Sequence, residues 1–152
     1  MKLKIFLLLI ILIPLLFSCK ESPCDLKTSS LLQIGFYTLK DKKVIPAIDS
    51  VVNIYGVGEE GKSLYTNENI ATAVFPLSQN QDMCSFIINS NDTIDTLTFH
   101  YTRQLKMISK ECGFATIFNI NSVNFSKNKF DSISIIDPVV NTSYEENIRI
   151  FF

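Results

Sequence analysis

The residues best suited by type to do chemistry are few: four cysteines, one histidine and a glycine-rich run, Gly56-Val57-Gly58-Glu59-Glu60-Gly61-Lys62-Ser63. That run satisfies two phosphate-binding patterns, G-x-G-x-x-G and G-x-x-x-x-G-K-S. Both patterns work only when a strand enters the loop and a helix leaves it, so that helix amides face the phosphates. A strand-like stretch precedes the run, but Leu64-Tyr65-Thr66-Asn67-Glu68-Asn69-Ile70 follows it with turn formers and no helical period. No nearby strand supplies a magnesium-binding aspartate. The expectation is a loop between antiparallel strands, with Glu59, Glu60 and Lys62 in solvent and no bound nucleotide or other cofactor.

His100 alternates with threonines on the expected solvent face of a strand, and no nucleophile can be assigned to it. A single histidine also rules out a histidine metal cluster within one chain. The carboxylate pairs Glu59-Glu60 and Glu145-Glu146 sit in turn-like sequence and are expected to be solvated. Asp92, Asp95, Asp131 and Asp137 offer oxygens for calcium but lack the dense spacing of a calcium loop, so no metal is expected. Asp49-Ser50-Val51, Asp92-Thr93-Ile94, Asp95-Thr96-Leu97 and Asp131-Ser132-Ile133 also look like short O-glycosylation acceptors. The chain is read as non-enzymatic. The alternative is an envelope-acting hydrolase whose loop carboxylates meet only in three dimensions.

The cysteines carry more information. Lys2 and Lys4 precede an apolar run from Ile5 to Phe17, interrupted by Pro14 and followed by small Ser18. This is the layout of a secretory signal. It is too short for a spanning helix, which needs about 20 apolar residues, and Pro14 weakens a helical span further. Leu16-Phe17-Ser18-Cys19 resembles a bacterial lipobox. That resemblance implies diacylglyceryl transfer to Cys19, cleavage before it and acylation of its new amine. Residues 1–18 are thus expected to be a signal peptide, 19–28 a lipidated tether and 29–152 one folded domain. Two acyl chains suffice for a stable anchor. The expected location is the cell envelope, anchored to the outer membrane on its periplasmic or surface side. Lys20-Glu21 looks like half of a Lys-acidic-acidic surface-export signal, whose second acidic residue is absent.

Cys24, Cys84 and Cys112 remain after Cys19 is acylated. Export makes a disulfide the default, and an odd number leaves one thiol over. Cys84 runs in phase with Phe86 and Ile88, on an inward face where a thiol is a small hydrophobe. Cys24 follows Pro23 and Cys112 precedes Gly113, both at element ends where bridging is easy. Cys24–Cys112 is therefore preferred over the other pairings, and closing so long a loop contributes about 4 kcal/mol in the chain-entropy model.

The elements that must hold these residues read as strands. Charge is nearly balanced at −1, with no basic block, which argues against nucleic acid. Leu32, Ile34 and Phe36 alternate with Gln33 and Gly35, and Leu97, Phe99 and Tyr101 alternate with Thr96, Thr98, His100 and Thr102. Further strands are expected at Val51–Tyr55, Ala71–Leu77, Cys84–Ile88, Phe114–Val123, Ile133–Val139 and Ile148–Phe152, divided by turns such as Asn89-Ser90-Asn91-Asp92. This points to an all-β chain, an antiparallel immunoglobulin-like β-sandwich of about seven to nine short strands. The apolar terminus Arg149-Ile150-Phe151-Phe152 is expected to be a paired strand.

Several of these segments also carry a family resemblance: Tyr55-Gly56-Val57-Gly58, Pro76-Leu77, Asp95-Thr96-Leu97-Thr98-Phe99, Tyr101-Thr102-Arg103, Cys112-Gly113-Phe114-Ala115 and Ile148-Arg149-Ile150-Phe151-Phe152. In that order they resemble an uncharacterised family of short Gram-negative envelope lipoproteins, domain of unknown function 6452. The resemblance spans nearly the whole mature chain. It implies cysteines at positions 24 and 112 and more often Ser or Thr at 84, which favours the same pairing. It implies no activity. The functional expectation is a lipid-anchored, non-catalytic binding or assembly module, with the membrane and an envelope protein or glycan as partners.

Overall fold

The computed structural model describes residues 23–47, 49–59 and 61–152. The expected signal peptide, Cys19 and Glu60 lie outside the described residues. Eleven strands and no helix occur among the described residues. They form two sheets. In the first, β1 (Leu31–Lys40) pairs along one edge with β11 (Glu146–Phe151), which pairs in turn with β9 (Ser132–Ile135). The other edge of β1 is shared: β5 (Thr72–Pro76) covers Leu31–Gly35, and β2 (Lys43–Pro46) covers Tyr37–Lys40. The second sheet runs β10 (Val139–Val140), β8 (Gly113–Phe125), β7 (Thr93–Ser109), β6 (Met83–Ser90), β3 (Asp49–Gly56), β4 (Ser63–Ile70).

The sandwich expected from the sequence is the fold observed, with two differences. The strands number eleven, and the pairing of β1 with β11 is parallel. The extra strands are those with weak local signals. Lys43–Pro46 hides behind a two-residue turn at Asp41-Lys42, whose φ values of 52° and 63° are those of a type I′ hairpin turn. Ser63–Ile70 is polar because it is the edge of its sheet, turning only a few side chains such as Tyr65 and Ile70 inward. The single strand expected at Ile133–Val139 is divided: Ile133 and Ile135 lie in the first sheet, and Val139 pairs with Asn119 in the second. Between them Ile136 N–H and Asp137 N–H both donate to the Asn147 carbonyl, at 2.8 and 3.1 Å, so the chain changes sheets. It changes sheets again at Ala71, between β4 and β5.

The core follows from period-two alternation. Leu32, Ile34 and Phe36 meet Leu97, Phe99 and Tyr101 from the opposite sheet, and each is at most 1% exposed. Phe75, Phe86 and Phe99 bridge the two sheets as an aromatic trio with centroid separations of 5.0 to 6.1 Å. The terminal strand is paired on both sides, as expected, and Phe152 stacks on Phe36 at 5.8 Å.

Two buried polar side chains hold the loops. Asn147 sits at the β-bulge where the β1–β11 register shifts between Gln33 and Ile34. Its Oδ1 accepts from Gln33 N–H, and its Nδ2 donates to the Asp137 and Val139 carbonyls, so the side chain replaces the missing ladder bonds. Asp95 lies in phase with Leu97 on the core face and is 1% exposed. Its Oδ1 accepts from Ser126 Oγ–H at 2.7 Å and Asn128 N–H at 3.0 Å, and its Oδ2 from Lys129 N–H at 2.8 Å. Asp95 is therefore a loop clamp, with its oxygens turned to protein donors rather than toward a cation.

Candidate functional site

A cleft of about 600 Å³ opens at the end of the sandwich where β3 and β5 stop and β6 begins. Leu77, Cys84 and Phe86 contribute apolar surface. Ser78, Asn80, Gln81 and Ser85 contribute hydroxyls and amides, and Glu59 is the carboxylate of the described lining. Met83, 47% exposed, is also in the lining.

One wall is the β5–β6 loop, and the sequence after it dictates its shape. Tyr101 is buried, but its hydroxyl reaches the loop: it donates to the Ser78 carbonyl at 3.2 Å and accepts from Ser78 N–H at 2.9 Å. Ser78 Oγ accepts from the amides of Asn80 and Gln81 at 3.3 and 3.2 Å. Arg103 then fastens the loop from outside. Its Nε donates to Asp82 Oδ1 at 2.8 Å, and its Nη1 donates to the Gln79 carbonyl. The wall is thus held by tertiary bonds to β7 and is ordered before any ligand arrives.

The opposite wall is the glycine-rich run that matched phosphate motifs. Strand β3 enters it, and antiparallel β4 leaves it, as expected for a hairpin. Three of its amides are already used: Val57 N–H donates to Ser85, Glu59 N–H to Gly56 and Lys62 N–H to Glu59 carbonyls. Gly58 takes φ 80°, a conformation the turn needs and a side chain would strain. Among the described residues no helix follows the run.

Cys84 keeps its thiol. Burial pushes its pKa up, so the neutral form is favoured and nucleophilicity is low. It packs against the core but is only half-buried, because its strand starts at the cleft rather than in mid-sheet. Burial also raises the pKa of Tyr101, beside Cys84.

The other sequence candidates lie elsewhere. His100 is on the outer face of the second sheet, half-exposed, with Nε2 3.4 Å from Asn124 Nδ2. Among the described residues no group of three His, Cys, Asp or Glu is placed to hold a metal ion. Glu145 is exposed, but Glu146 departs from the expected solvated pair. Tyr37 Oη donates to its Oε1 at 2.5 Å, and Arg149 Nε donates to its Oε2 at 2.7 Å. Gly35 makes this possible, since a Cβ there would lie 2.1 Å from Glu146 Oε1. Hydrogen bonding to that carboxylate raises the Tyr37 pKa. Ser132, in one glycosylation-like triplet, is exposed at the strand edge, whereas Thr96 follows buried Asp95 within a central strand.

A disulfide joins Cys24 to Cys112 with a Cα–Cα distance of 4.9 Å. It ties the segment before β1 to the turn of the β7–β8 hairpin. The cleft walls, by contrast, come from the glycine-rich run, which the sequence brought forward only as a phosphate motif, and from the β5–β6 loop, which it did not signal.

A family model described as "Family of unknown function (DUF6452)" matches residues 51–152. The match begins at Val51, so β1, β2 and Cys24 precede it and the span is narrower than the resemblance implied. No curated protein and no solved structure matches the chain.

Proposed function

We propose, for a chain that belongs to this family of unknown function, that it is a lipid-anchored cell-envelope module which binds an envelope protein or glycan without catalysing a reaction. The observation that carries this reading is the cleft with its pre-fastened wall: an apolar floor, a rim of amides and hydroxyls, and a thiol kept protonated by burial. Such a mixture, with the Glu59 carboxylate in the lining, suits recognition of a partly polar surface without negative charge, where a few fixed polar groups set orientation and apolar contact supplies affinity. The Cys24–Cys112 bridge supports an oxidising compartment, and the Leu16-to-Cys19 segment supports an anchor at Cys19.

The test has two readouts on the native protein. Intact mass of the chain extracted from membranes should correspond to cleavage before Cys19 plus acyl chains. Crosslinking in intact cells, followed by capture of the full chain, should recover one reproducible partner, and Met83→Arg at the cleft should abolish that product. A chain beginning at Met1 without lipid defeats the anchor. A product unchanged by Met83→Arg defeats the cleft as the binding site.

A further inference from the structure

The β7–β8 hairpin is longer than the sandwich needs. β6 pairs with β7 only as far as His100, and β10 pairs with β8 only at Phe118 and Asn119. Beyond that, among the described residues, Gln104–Ser109 pairs only with Gly113–Ile117, giving a two-stranded arm. Six residues at about 3.3 Å each make it about 20 Å long. Register fixes which side chains share a face. Met107 lies opposite Phe114, and Leu105 is two residues before Met107 on the same side. These three are 66% (Leu105), 52% (Met107) and 60% (Phe114) exposed. On the opposite side Lys106 faces Ala115, which is 3% exposed. Gln104 and Lys106 on that side are exposed and polar, so the arm has one polar face and one that presents three large apolar side chains.

The disulfide ties the tip of the arm to the segment that follows Cys19. Cys112 is in the turn of the arm and is bonded to Cys24. Cys19 is five residues before Cys24 in the sequence, so covalent geometry keeps the two within about 18 Å. We infer that the Leu105–Met107–Phe114 face of the arm inserts into the bilayer that holds the lipid of Cys19, as a second membrane contact. This rests on the anchor reading above. The anchor confines the arm to the membrane surface, and burying each of the three side chains favours the inserted state by about tenfold. At the turn Lys110 and Glu111 cancel in charge, so the contact is apolar and withstands salt. The cleft opens beside the base of the arm, since Tyr101 and Arg103 of β7 fasten its wall. Arm insertion therefore turns the cleft end of the sandwich toward the membrane.

The chain contains no tryptophan, so single substitutions supply a depth probe in the full-length protein. Met107→Trp, Phe114→Trp, Lys106→Trp and Ile94→Trp are each purified from membranes and reconstituted in phosphatidylethanolamine–phosphatidylglycerol vesicles with brominated acyl chains. Ile94 is exposed near the opposite end of β7. Fluorescence of Met107→Trp and Phe114→Trp should be quenched at least twofold, in low and high salt, with little quenching for Lys106→Trp or Ile94→Trp. Intact mass reports acylation independently. Acylated protein with no quenching at positions 107 and 114 overturns arm insertion and leaves the anchor standing. Loss of quenching together with self-association through the arm, read by sedimentation, also overturns it, in favour of a second copy. Protein without acyl chains overturns the anchor and the arm contact together.

Discussion

Replacing Asp95 by asparagine isolates the loop clamp from packing, because the side chain keeps its volume. The carboxylate accepts three bonds, two on Oδ1 from Ser126 and Asn128 and one on Oδ2 from Lys129. An amide has one acceptor oxygen. In the better orientation it keeps the pair on Oδ1 and points an N–H at the Lys129 N–H. The bond lost has a charged acceptor, worth about 1.5–3 kcal/mol, and a buried donor left facing another donor costs about 1–3 kcal/mol more. Part of this is relieved by small shifts in the loop, so the expected loss is about 3 kcal/mol. For a domain of this size that lowers the melting temperature by about 10 °C. Urea unfolding followed by far-ultraviolet circular dichroism measures the total, and amide exchange at Lys129 locates it, with protection there falling about a hundredfold. A loss below about 1 kcal/mol, or unchanged protection at Lys129, would refute the clamp and reopen Asp95 as a residue kept for a ligand.

Three other expectations follow from the same geometry. Converting both Cys24 and Cys112 to serine releases a loop of 88 residues, and should cost about 4.5 kcal/mol in urea unfolding; a cost under 1 kcal/mol would mean the arm is held by other contacts. Asn147→Ala removes three side-chain bonds and strands Gln33 N–H at the bulge, for about 3 kcal/mol, with amide exchange rising at Gln33. Cys84, Tyr37 and Tyr101 have pKa values raised in the folded state, so their neutral forms contribute stability in full below the ordinary thiol and phenol values. That contribution is lost as pH rises through the folded values. The urea midpoint should therefore hold steady to about pH 8 and fall from about pH 9 upward, and a midpoint unchanged at pH 11 would contradict the assignment.

The fold was legible wherever burial imposed alternation. Leu32-Ile34-Phe36 and Leu97-Phe99-Tyr101 declare an inward face because every second residue must leave water. Ser63–Ile70 turns only Tyr65 and Ile70 inward, so no alternation marks it and its polar residues read as turn. The parallel pairing of β1 with β11 was not legible, since register between strands more than a hundred residues apart leaves no local pattern. Asp95 misled for a related reason. Its alternation with Leu97 was visible, but a carboxylate on a core face becomes intelligible only once the donors at Ser126, Asn128 and Lys129 are placed around it. The cleft is assembled from the ends of three strands, and its defining bonds, from Tyr101 to Ser78 and Arg103 to Asp82, span more than 20 residues.

The disulfide is the feature that joins these levels. By itself an arm of two strands is marginal in water, because half of its surface lacks a partner. Here the turn is bonded through Cys112 to Cys24, and Ala115 is buried although Lys106 opposite it is exposed. The other side is open and apolar, which an arm serving only as a bridge between cleft and disulfide would not require. A polar residue at 105, 107 or 114 would serve the ribbon equally well in water. The choice of Leu, Met and Phe at these three positions is therefore the part of the arm that stability leaves unexplained, and it is what the proposed membrane contact would account for.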